Sequence, residues 1–63
     1  MDIVDLRIQL YFFVGYDWEN FIWNEMKDSD EEKQADRLRT CLKWCTDGMD
    51  PDVILRAVKM GVI

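Results

Sequence analysis

Histidine is absent from these 63 residues, and proline occurs once, at Pro51. Without histidine the chain lacks the side chain whose ordinary pKa suits proton transfer near neutral pH, and also the commonest metal ligand. Glycine is scarce, at three residues. No glycine-rich phosphate loop, nucleophile elbow or metal-ligand set can be read in the chain. Paired carboxylates occur, but so short a chain has little volume in which to enclose a small-molecule substrate. An enzyme, a bound cofactor and a metal centre are therefore not expected. Long apolar runs are missing as well. The longest, Leu10 to Val14, is far too short to span a bilayer. The opening Met1-Asp2-Ile3-Val4-Asp5 is acidic, whereas a secretory signal opens on bases. A cytoplasmic protein with no membrane association is the expectation.

Bases are outnumbered, 8 against 13 acids, for a net charge of −5. Neutralising phosphates needs a basic face, so general nucleic-acid binding is disfavoured. The balance suits solubility, or a meeting with a basic partner. Cys41 and Cys45 stand four apart, on one face of a helix, where a disulfide between them would be strained. They provide too few ligands for zinc and read as small buried apolar residues. Asp28 and Asp30 begin like a calcium loop, but Lys33 stands where its glycine belongs and Arg39 where its closing glutamate belongs. The acidic run Glu25, Asp28, Asp30, Glu31, Glu32 and Asp36 therefore reads as a solvated helix start.

An apolar fraction of 49% with 33% charged residues describes one globular domain over 1–63. Its punctuation is helical. Asp2 can cap a first segment that Gly15 ends in a left-handed conformation. Asp17 can cap a second helix beginning at Trp18. Ser29, with Glu32 three residues on, has capping-box spacing for a third that ends at Gly48. Asp50-Pro51 starts a fourth, closed by Gly61 with Val62 available for a hydrophobic contact.

Residues 3–14 admit two readings. Val4, Leu6, Ile8, Leu10, Phe12 and Val14 alternate like a half-buried strand. Ile3, Leu6, Leu10 and Phe13 instead follow coiled-coil spacing. Val4, Ile8, Tyr11 and Phe12 would then form a second apolar face, which asks for a central helix. A lone strand would leave its ladder groups unpaired unless a second chain supplied the neighbour. The fold expectation is accordingly all-α, a small bundle of four short helices. The alternative is an N-terminal strand over 3–14 followed by three helices, with the strand paired between chains.

What the chain has in excess is aromatic rings. Seven of its eight lie between Tyr11 and Trp23, and Trp44 is the eighth. A domain this small buries only about 60% of the surface its unfolded chain exposes, so some rings are expected to find cover on another protein, a partner or a second copy in a homodimer. Trp18, Phe21, Ile22 and Met26 share one side of the second helix, with Trp23 towards its edge. Such anchors suit helix-in-groove recognition. Trp44, placed by helical phase among Lys33, Arg37 and Thr40, is expected to be a separate exposed contact. The expected function is a compact regulator or inhibitor acting by protein–protein contact, of a size common among phage and mobile-element regulators. Two alternatives stand beside it. The strand reading would resemble the dimeric ribbon-helix-helix DNA-binding architecture, with Arg7 and Gln9 as base readers. The acidic surface could instead mimic a nucleic acid and occupy a basic site on an enzyme, through Glu31 and Glu32.

Overall fold

The computed structural model describes residues 2–63. They form four helices: α1 (Ile3–Val14), α2 (Tyr16–Asn24), α3 (Glu31–Thr46) and α4 (Pro51–Lys59). Among the described residues there is no strand. The alternating segment is helix because a helix satisfies its own backbone groups, whereas a lone strand cannot. The strand alternative is thereby removed, and with it the ribbon-helix-helix arrangement that needed it.

α1 packs most extensively on α3 and next on α2, while α4 closes against both α2 and α3. The core takes Leu6 and Leu10 from α1, Ile22 from α2, Leu38 and Cys41 from α3, and Ile54 and Val58 from α4, with Met26 entering from the turn after α2. Phe13 is not among them and is exposed. The coiled-coil register assumed 3.5 residues per turn. A straight helix at 3.6 drifts only about 20° per heptad, so positions 13 and 14 flank the seam on opposite sides. The neighbouring elements cover the Val14 side, which packs against the core, and leave the Phe13 side open.

The turn between α1 and α2 is a single residue. Gly15, at φ 88° and ψ 173°, donates its N–H to the Tyr11 carbonyl at 2.8 Å and accepts the Glu19 N–H at 3.1 Å. It therefore ends one helix and begins the next. Because its carbonyl takes the first α2 bond, α2 opens at Tyr16, before the Asp17 cap that the sequence suggests. The third helix, by contrast, starts one residue later than expected. Asp30, not Ser29, accepts the Lys33 N–H, at 2.9 Å, and the Ser29 hydroxyl instead receives Arg37 Nη1 at 3.4 Å. α3 and α4 end as anticipated, at positive-φ Gly48 and Gly61, with Met49 and Val62 N–H groups reaching back to the Trp44 and Ala57 carbonyls. Val62 itself is exposed, and Ile63 makes the core contact in its place.

Arg37 fastens the last segment. Its guanidinium donates to the Val58 carbonyl at 2.7 Å and the Ile63 carbonyl at 3.1 Å, tying the end of α4 to the middle of α3.

The combination of positive φ and extended ψ at Gly15 is open to glycine almost alone. Gly15→Ala should therefore cost about 1–3 kcal/mol. In urea unfolding the midpoint should fall with little change in slope. An unchanged midpoint would show that the one-residue junction carries no strain.

Candidate interaction surface

α1 is apolar on two sides, and only one of them is covered. Leu6 and Leu10 are buried, while Val4, Ile8, Tyr11 and Phe12 are exposed. The four exposed residues recur at i, i+4, i+7 and i+8, which lines them along one face. Phe12 is 79% exposed and Tyr16, across the Gly15 turn, 70%. The Tyr11 and Phe12 rings meet edge to face with centroids 5.5 Å apart. Between α1 and the start of α2 runs an open groove of about 280 Å³, lined by Val4, Arg7, Ile8, Tyr11, Tyr16 and Glu19. Taking about 200 Å² for a fully exposed ring, Tyr11, Phe12 and Tyr16 alone present roughly 400 Å². That is within the range of the largest single apolar patch on a typical monomer, about 300–600 Å², before Val4 and Ile8 are added.

The floor of the groove is charged and internally satisfied. Arg7 Nε donates to Glu19 Oε2 at 2.9 Å and Nη2 to Oε1 at 3.2 Å. This is the two-pronged geometry that suits guanidinium to carboxylate. The Arg7 guanidinium carbon also lies 4.5 Å from the centroid of the Trp23 ring, a cation–π contact. Glu19 is buried; Arg7 is what allows a carboxylate there. Among the described residues no buried side-chain nitrogen or oxygen lacks a hydrogen-bond partner. Arg7, offered as a base reader in the DNA-binding alternative, is thus committed within the protein.

The residues singled out on α2 divide. Phe21 is exposed, and Trp18 is half-buried, their rings meeting at 5.9 Å. Trp18 also lines a small groove with Asp52, Leu55, Arg56 and Lys59 of α4. Trp23 is half-buried beneath Arg7 and packs on the core. Ile22 and Met26 are fully enclosed, so no surface can be drawn through them. Trp44 differs from its expected exposure: it is half-buried and packs against the core. It shares the Arg37 flank of α3, the flank onto which the end of α4 folds, and a helical wheel centred on the main apolar stripe does not register that cover.

The most exposed aromatic face therefore belongs to α1, and Val4, Ile8, Tyr11, Phe12 and Tyr16 were not among the expected contact residues. Their signal was legible as the second apolar face of α1, which the sequence suggested would be core. Among the described residues no fifth element buries it.

Other candidate chemistry is quiet. Cys41 and Cys45 are free thiols. Burial, reinforced by the neighbouring Cys45, pushes the Cys41 thiol up to about 12, and burial raises Cys45 too. At neutral pH both are protonated, not the thiolates that act as nucleophiles. Among the described residues no group of three or more His, Cys, Asp or Glu side chains converges as a metal site, and no helix is long and apolar enough to cross a membrane. The fold and surface define a small four-helix domain with an uncovered aromatic face. Comparison with family models, curated proteins and solved structures finds no match to this chain.

Arg7→Met would leave the Glu19 carboxylate buried and unpaired. It should cost about 2–3 kcal/mol, less than a wholly buried pair because the Arg7 side chain is 31% exposed. Adding Glu19→Met should recover most of that loss in chemical denaturation. Additive losses in the double variant would show that the two side chains act independently.

Proposed function

We propose that this chain is a protein-interaction module, regulatory or inhibitory in role, that acts by presenting an aromatic-rich helical face to a partner protein. The observation that carries the reading is the row Val4, Ile8, Tyr11 and Phe12, exposed on α1 and extended by Tyr16. Aromatic rings at the centre of a patch supply large contact area with few rotatable bonds to freeze, which is why they dominate binding hot spots. The polar groups beneath are already paired with each other, so covering the groove strands no partnerless charge there. That favours contact with a macromolecule over chemistry on a small substrate.

A combined Ile8→Glu and Phe12→Ser variant tests this reading. Both side chains face outward, so stability should change little. Immobilised wild-type protein should retain a partner from a lysate of its source cell, and the variant should retain about tenfold less, the scale of losing one or two hot-spot residues. Equal retention by both, or none by the wild type, would overturn the proposal.

A further inference from the structure

The groove has apolar walls, and the exposed charge at its two ends is mainly acidic. Arg39, which shares a recess with Asp2, Glu31, Glu32 and Asp36, is paired with Asp36. Asp2 and Asp5 stand exposed at the start of α1, beside Val4. Asp17 stands exposed at the start of α2, beside Tyr16. Because α1 and α2 join at Gly15, Asp17 is at the opposite end of the groove from Asp2 and Asp5. Residues 2–24 contain four carboxylates and a single base, Arg7, whose charge is spent on Glu19. From Val4 to Phe12 the apolar row runs about 12 Å along the helix, at 1.5 Å per residue. That matches two to three turns of an opposing helix.

We propose that the groove between α1 and α2 takes an amphipathic helix of another protein, one whose apolar stripe is flanked by basic residues at both ends. The proposal rests on the interaction reading above and adds the chemistry of the partner. The apolar stripe would lie over Val4, Ile8, Tyr11, Phe12 and Tyr16, and the flanking bases would face Asp2 and Asp5 at one end and Asp17 at the other. Complementary charge of this kind sets orientation and speeds encounter. A second copy of this chain is the poorer occupant. A two-fold contact brings the same patch against itself, so it would set acids against acids with no free base within residues 2–24 to answer them. An anionic membrane surface is disfavoured by the same acids, since interfacial helices that bind such lipids carry basic polar faces.

Three synthetic peptides test the proposal by titration into isotope-labelled protein, read by NMR. One is a helix with leucines at i, i+3, i+4 and i+7 and lysines at both ends. The second has glutamates in place of the lysines, and the third is a scramble of the first. The lysine peptide should shift the resonances of Val4, Ile8, Tyr11, Phe12 and Tyr16 and bind more weakly as salt is added. Replacing Asp5 and Asp17 together by asparagine should weaken it about fivefold, the scale of two exposed ion pairs. The scrambled peptide should not engage the face. Equal binding of the glutamate peptide at the same residues would overturn the basic-partner inference while leaving the interaction reading in place. Equal binding of the scramble would overturn it as mere charge attraction. If no peptide binds, the inference falls, and sedimentation distinguishes the causes. A dimer dispersed by Ile8→Glu would make a second copy the occupant, and a monomer would remove the groove as a docking site.

Discussion

The seating of Leu6 and Leu10 against α3 fixes how α1 is rotated about its own axis, and that rotation decides what the molecule shows to its surroundings. Both leucines are essentially sealed from solvent. On a helix, turning two residues inward at i and i+4 turns those about half a turn away outward. In α1 the residues turned outward are mostly apolar, Val4, Ile8, Tyr11 and Phe12, with Asp5 and Gln9 to one side of them. An ordinary surface helix carries charge on that side. Here the same packing that builds the core also builds the exposed apolar face.

Two local devices hold that geometry. Gly15 joins α1 to α2 with no intervening loop, so the two helices cannot slide apart without losing the bonds on both sides of that residue. The Arg7–Glu19 pair then spans the two helices across the groove floor. A buried pair of this kind is weak support for overall stability, because desolvation offsets much of the attraction. Its consequence is geometric: it sets the spacing between α1 and α2 and places an arginine over Trp23. The groove is therefore a preformed feature, and a ligand entering it would meet walls already in place, which limits the ordering cost of binding.

The architecture was largely legible in the sequence. Asp2, Gly48, Asp50-Pro51 and Gly61 mark helix ends through chemistry that acts within a few residues. The start of α3 was missed by one residue because two candidate caps, Ser29 and Asp30, stand side by side. That of α2 was missed by two because the Gly15 carbonyl, with no side chain to signal it, takes the first α2 bond. The contact surface was less legible. Ile22 and Met26 carry the spacing of an anchor motif, and a core-facing stripe has the same spacing, so sequence cannot separate them. Trp44 depended on where α4 folds, a long-range matter that a single helical wheel does not contain. The outward face of α1 was visible as a second apolar stripe, but whether a helix with two such stripes is central or peripheral depends on how many elements surround it. With four short helices α1 is peripheral on one side.

The exposed α1 face has to be open in the free protein if it is to receive a partner. Paramagnetic relaxation enhancement from a neutral solvent probe measures this directly, residue by residue, on dilute wild-type protein. Strong enhancement is expected at the side-chain protons of Val4, Phe12 and Tyr16, and almost none at Leu6, Leu10 and Ile22. Protection of Phe12 and Tyr16 at every concentration would contradict this, because the face would then be covered by the chain itself or by a copy of it.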